Sequence, residues 1–208
     1  MIEEELITTS ELKTMLDNTT SKYLVSQSMG IYMMVENNGE ITEITFSYVL
    51  NGFKLVSLEF IAKSNSDYYS AYVYEGFQYV TVNNTKTKKA ITSSLEASLI
   101  TEYSFMNMTE ELFLVFTDDL LNSLEVKEDV NGRAKLELNK DKHISNDTAI
   151  PTIETYITYE NDEILKIDYY WNKSNENNQR ILLEFKGLED IKINIPSDLG
   201  TYKDWGIK

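Results

Sequence analysis

Cysteine is absent from the 208 residues, which excludes disulfides, thiolate metal sites and cysteine nucleophiles. Histidine occurs once, as His143 in a polar connection, and one imidazole cannot assemble a multi-histidine metal centre. A nucleophile would have to be a serine paired with lysine or carboxylate, and neither a G-x-S-x-G elbow nor an S-x-x-K motif supports one. The glycines at Asn51-Gly52-Phe53 and Glu75-Gly76-Phe77 mark isolated turns, not a G-x-G-x-x-G or Walker loop, so no phosphate cradle is present. Basic residues are few: 19 Lys and Arg stand against 34 Asp and Glu, for a net charge of -15. That balance excludes a surface that tracks nucleic-acid phosphates, and it opposes electrostatic docking on an anionic membrane. No run reaches the ~18 apolar residues of a membrane span. No apolar signal-peptide core follows Met1.

Two weaker signals fall to plainer readings. Asp129, Asn131 and Gly132 follow one another as in a calcium loop, but the preceding acidic ligand and a correctly spaced bidentate Glu are missing; "DVNGRAKLE" is a hairpin turn. Asp118-Asp119 reads as a solvated helix face. The chain therefore carries no catalytic signature and calls for no cofactor or metal.

What the chain does have is a core and a clear period. Hydrophobic residues make up 42%, with 14 Tyr and 8 Phe, enough for a sizeable interior. Residues 9 to 23 carry an amphipathic helix with Leu12, Met15, Leu16 and Tyr23 at helical spacing, Ser10 as its cap and Glu11 in the first turn. From Ser28 the period changes to two. Asn37-Asn38-Gly39, Asn51-Gly52, Asn65-Ser66, Glu75-Gly76 and Asn83-Asn84 then punctuate an antiparallel meander. One face of it bears Ile44, Phe46, Tyr48 and Leu50, and another strand places Val56, Leu58 and Phe60 together.

The pattern breaks near residue 91. Residues 109–124 fit a helix capped by Thr109, with Leu112, Phe113, Phe116, Leu120 and Leu124 in one stripe, although "LFLVF" reads equally well as a buried strand. Strands resume around Asn131-Gly132. "YITYENDEILKIDYYW" then forms a hairpin about Asn161-Asp162, with Leu165, Ile167, Tyr169 and Trp171 on one face. After an Asn-rich loop over residues 172–178, "RILLEFKGLEDIKINIP" supplies the last two strands. No linker divides the chain, so residues 1–208 are expected to form a single domain with a polar tail over 1–8 and another over 203–208.

This order resembles the LolA-like lipoprotein carriers and their relatives, the LppX/LprG group among them. The residues that carry the resemblance are the leading helix, the meander from "MGIYMMVENNGEITEITFSYVL", the Tyr-rich "DYYSAYVYEGFQYV" hairpin, the helical interruption and the closing strands. The resemblance implies an α+β, mostly β fold: a curved antiparallel half-barrel of about 11 strands with helices packed on its concave face. It also implies a non-enzymatic, extracytoplasmic protein of a Gram-positive bacterium, held by a lipidated N-terminus, with lipid or another hydrophobic ligand between sheet and helices. On that expectation Leu112, Phe113, Phe116, Leu120, Leu165, Ile167, Tyr169 and Trp171 face an apolar cavity, and Phe116 points into it. Plain core packing is the other reading of the same residues. A scaffold that meets a cell-envelope protein partner through outer-face Tyr68, Tyr72 and Tyr74 is the alternative function, since Tyr offers large contact area at low entropy cost.

Overall fold

In the computed structural model the described residues are 6–104, 118–139, 152–173, 177–189 and 191–205. Helix α1 (Thr9–Val25) leads into a meander of β1 (Ser28–Asn37), β2 (Glu40–Asn51), β3 (Lys54–Lys63), β4 (Tyr68–Tyr74), β5 (Phe77–Val82) and β6 (Thr85–Ala90). Helices α2 (Ser93–Glu102) and α3 (Asp118–Ser123) come next, followed by β7 (Leu124–Val130), β8 (Arg133–Leu138), β9 (Thr152–Glu160), β10 (Glu163–Lys173) and β11 (Asn177–Gly187). A 3-10 turn (Leu199–Thr201) and the short β12 (Lys203–Asp204) end the described chain.

All the strands belong to one 12-stranded sheet in the order β12-β6-β5-β4-β3-β2-β1-β11-β10-β9-β8-β7. Two meanders thus run toward each other and join where β1 pairs antiparallel with β11. The sheet is open and curved, in keeping with the expected half-barrel, and its apolar side carries the helices. The polar turns form where the sequence places them. Asn38, Asn83, Asn131, Asn161 and Asp162 all adopt positive φ, which Asn and Asp tolerate better than other side chains. Gly132 is required twice over: its φ is +72°, and an added Cβ would stand 2.5 Å from the Tyr159 carbonyl oxygen.

Helix α1 starts two residues earlier than Ser10 suggests. Thr8 is the N-cap, and Glu11, three residues on, completes a capping box by accepting from the Thr8 backbone N–H at 2.8 Å. Leu12, Leu16, Thr19 and Tyr23 form the buried stripe of α1. Thr19 Oγ1 accepts from the Ile164 N–H at 3.0 Å, and Tyr23 Oη accepts from the Gly187 N–H at 2.9 Å. Tyr23 also meets Phe185 edge-on at 5.0 Å. Burial pushes the Tyr23 phenol up to about 12, so it stays neutral. These ties lay α1 across β10 and β11 on the concave face.

Several sequence expectations change in the structure, among them the loop over 172–178, since β10 runs to Lys173 and β11 starts at Asn177. Of the helix expected over 109–124, residues 118–123 are helical as α3, but Leu124 is the first residue of β7 and pairs with Leu138. Ladder pairing with β8 overrides the helical stripe there. Residues 109–117, including Leu112, Phe113 and Phe116, lie outside the described residues. In β10, Ile164 pairs with Tyr159 and Lys166 with Thr158, so Leu165 is the extra residue of a bulge. The slip turns Ile164 inward, 1% exposed, and leaves Leu165 37% exposed. A bulge in β3 acts likewise: Leu50 pairs with Leu55 and Val49 with Ser57, which puts Leu55 on the inner face and leaves Val56 exposed.

The final expected strand does not form a ladder. Strand β11 already has β1 on one side and β10 on the other, so the chain after Gly187 has no free edge to pair with. It runs instead across the outer face. The Ser28 hydroxyl donates to the Leu188 carbonyl, and Ile191 passes over Gly30. The Asn194 N–H donates to the Glu59 carboxylate. Ile195 and Leu199 then pack on Tyr72, Tyr79 and Tyr202. The segment ends as β12, parallel to β6 at the sheet's free edge, so Lys203 and Asp204 belong to the sheet and not to a tail.

Candidate functional site

Among the described residues, the helices leave an apolar cleft at the end of the sheet where β2 turns into β3, with a volume of about 290 Å³. Its floor is Tyr48 and Leu50 from β2 and Leu55 and Leu58 from β3. The β3 bulge is what brings Leu55 and Leu58 to the same side. One wall is α2 with the residue that caps its C-terminus, which present Leu99, Ile100 and Tyr103. Two contacts fix that helix: Thr92 caps it by accepting from the Leu95 N–H at 3.3 Å, and Glu96 accepts from the Leu55 N–H at 2.8 Å. The opposite wall is the end of α1 and the loop after it, Leu24 to Gln27. Gly52 and Phe53, at the tip of the β2–β3 turn, form the lip.

Aromatic packing closes the inner end. Tyr103 is 5% exposed and stacks on Phe46 at 6.0 Å, with Phe60 at 5.1 Å. Its hydroxyl shares a hydrogen bond with Tyr69 Oη at 3.3 Å. Burial, then the Tyr69 hydrogen bond, holds the Tyr103 phenol far above its ordinary value. Tyr48 donates to the Ser26 carbonyl at 3.3 Å, and burial raises its phenol as well. Both phenols therefore serve as neutral hydrogen-bonding groups and not as bases. Among the described residues no charged side chain lines the cleft, and no cluster of three His, Asp or Glu could hold a metal ion. The lining the described residues give the cleft is mainly apolar, with Ser26, Gln27, Ser104 and the two phenols as its polar groups.

Of the residues expected to face a cavity, the described ones do not line this cleft. Ile167 and Tyr169 are 1% and 6% exposed in the core, where β10 runs beneath α1, and Trp171 packs half-buried beside them. Three strands separate β10 from β3 in the order of the sheet. Leu165 points away at its bulge, and Leu120 falls in α3. Tyr72, expected on an outer contact surface, is 4% exposed beneath the C-terminal segment. What sequence reasoning passed over was the continuation of apolar residues past the α1 stripe, at Leu24 and Val25, and a phenylalanine in a tight turn that ordinarily takes polar residues, at Phe53.

Among the described residues, no helix is long and apolar enough to cross a membrane. The sequence matches no protein-family model and no curated protein. Among solved structures, the chain is similar over 90% of its length to 96% of LprF from Mycobacterium bovis, at 10% identity and a TM-score of 0.43. It is also similar, over 89% of its length, to 94% of a DUF1329 family protein from Desulfovibrio piger, at 11% identity and a TM-score of 0.23.

Proposed function

We infer that the protein binds a hydrophobic ligand, an acyl chain or a lipid bearing one, in the cleft between α1, α2 and the β2–β3 hairpin. The observation that carries this reading is the lining: a space of about 290 Å³ whose walls are mainly aliphatic and aromatic, with Ser26, Gln27 and Ser104 as the polar exceptions and no charged side chain among the described residues, in a chain of net charge -15. Ligand pockets typically start at ~300 Å³ and are mostly apolar and pre-formed. The size favours a single chain over a multi-chain lipid. Under this reading the protein catalyses no reaction, and it works outside the cytoplasm on an N-terminal lipid anchor.

A fluorescent fatty-acid analogue tests the reading directly. The protein is expected to bind the probe saturably, and unlabelled fatty acid should displace it. Ile100→Trp should fill the cleft and abolish binding while the circular dichroism spectrum stays unchanged, because Ile100 is half-buried at the wall and not in the packed core. Absence of probe binding by the unmodified protein would refute the reading. Of the three tyrosines named for the scaffold alternative, Tyr72 is buried, Tyr68 is half-buried and Tyr74 is exposed.

A further inference from the structure

Among the described residues, the two most exposed large apolar side chains both stand at the entrance of this cleft. Phe53 is 98% exposed and Val25 79%, with Leu24 at 46% beside them. All three also line the cleft. They come from two separate elements, the β2–β3 turn and the end of α1, so one amphipathic stripe does not account for their meeting. The turns at the opposite end of the same strands are Asn38-Gly39, Asn65-Ser66 and Asn83-Asn84, with no large apolar side chain. A ring that is 98% exposed buries almost nothing within the fold, so whatever gain it brings has to come from a partner that covers it.

We propose that Phe53, Val25 and Leu24 form an insertion rim that seats the entrance of the cleft on an uncharged lipid surface, from which the ligand enters without crossing water. This rests on the ligand reading above. The chemistry of the ligand selects the partner: each methylene held in water costs ~0.8 kcal/mol, so a long acyl chain has almost no dissolved pool from which to load. Charge selects the kind of surface. At a net charge of -15 the protein is repelled by anionic headgroups, so attachment has to be apolar. Ser26, Gln27 and Lys54 flank the rim. Apolar tips with a lysine that can reach back to the headgroups are the arrangement of an interfacial anchor.

Flotation of the full chain with phosphatidylcholine vesicles tests the rim. The unmodified protein is expected to float with the vesicles, and Phe53→Ser/Val25→Ser should lower its partition at least about tenfold, the loss of one buried aromatic ring. Val130→Ser, at an exposed apolar position on β7, should leave partition unchanged. Anionic lipid mixed into the vesicles should weaken flotation. Loading of a fluorescent lipid analogue from vesicles into the unmodified protein should speed up in proportion to vesicle concentration, as collision requires, and not level off at the rate of lipid desorption. If the protein binds a soluble fatty-acid probe yet fails to float, or floats equally well as the double variant, the rim is wrong and the ligand reading survives. Flotation that depends on Phe53, without binding of any probe, would remove the ligand reading and leave the rim.

Discussion

The two halves of the outer face are built from the same alternating strands and end in opposite conditions. Over β2 to β6 the chain covers itself: the segment after Gly187 buries Tyr72, Tyr79, Glu59 and Thr81, and Tyr202 shares a 2.8 Å hydrogen bond with Thr81 in the interior of that layer. Over β8 to β11 no segment crosses among the described residues, and the outward positions hold charges in pairs. Lys135 lies 2.8 Å from Glu137 and 2.9 Å from Glu154, and Arg180 grips Asp168 at 2.9 and 3.0 Å while stacking over Tyr170. Over β2 to β6 a covering segment makes the outward tyrosines core, whereas over β8 to β11 packing among neighbouring side chains buries Asp168 and Leu182.

That comparison can be broken at Tyr202. Tyr202→Ala removes the edge-on contact with Tyr79 at 5.3 Å and the bond to Thr81, so it should cost about 3–5 kcal/mol in urea denaturation and make residues 188–205 sensitive to protease. A cost below about 1 kcal/mol would mean that the segment rests on the sheet without holding it. On the uncovered half the largest effect is expected at Arg180. Asp168 is 7% exposed, and Arg180→Ala leaves its carboxylate without its bidentate partner, for a loss of about 1–3 kcal/mol.

Glu59 sharpens the comparison through pH. Burial raises its carboxyl above its ordinary value, against the smaller lowering by the Asn194 N–H. A folded pKa above the unfolded one means that its contribution to stability is complete in acid and is lost as pH rises through the folded value. Glu59→Gln keeps an acceptor for Asn194 without the charge, so it should raise the melting temperature near pH 7 and change little near pH 4. The smallest effect belongs to the open ladder. Lys135→Ala should shift the melting temperature least of these variants, and less still in high salt, because its pairs with Glu137 and Glu154 are solvated.

Much of this architecture was legible in the sequence, for physical reasons. The Asn and Gly turns announce positive φ, the stripe of α1 announces one buried face, and Ile44, Phe46, Tyr48 and Leu50 do meet in the core as the alternation says. The bulges at Val56 and Leu165 were not legible, since one extra residue shifts a strand by a position without leaving any periodic mark. "IKINIP" alternates as a strand should, but the edges of β11 were already occupied, a fact of topology that no local window contains. The cleft escaped because three short segments distant in sequence compose it, and its clearest marker is a single phenylalanine at a turn.

Photo-crosslinking tests the central claim most directly: a fatty acid with a diazirine near the end of its chain is bound to the full-length protein, irradiated and mapped by mass spectrometry. The label is expected on the floor and wall of the cleft, at Leu50, Leu55, Ile100 or Tyr103. Label concentrated on Ile167, Tyr169 or Trp171 of β10, or spread over the surface without displacement by unlabelled fatty acid, would contradict it.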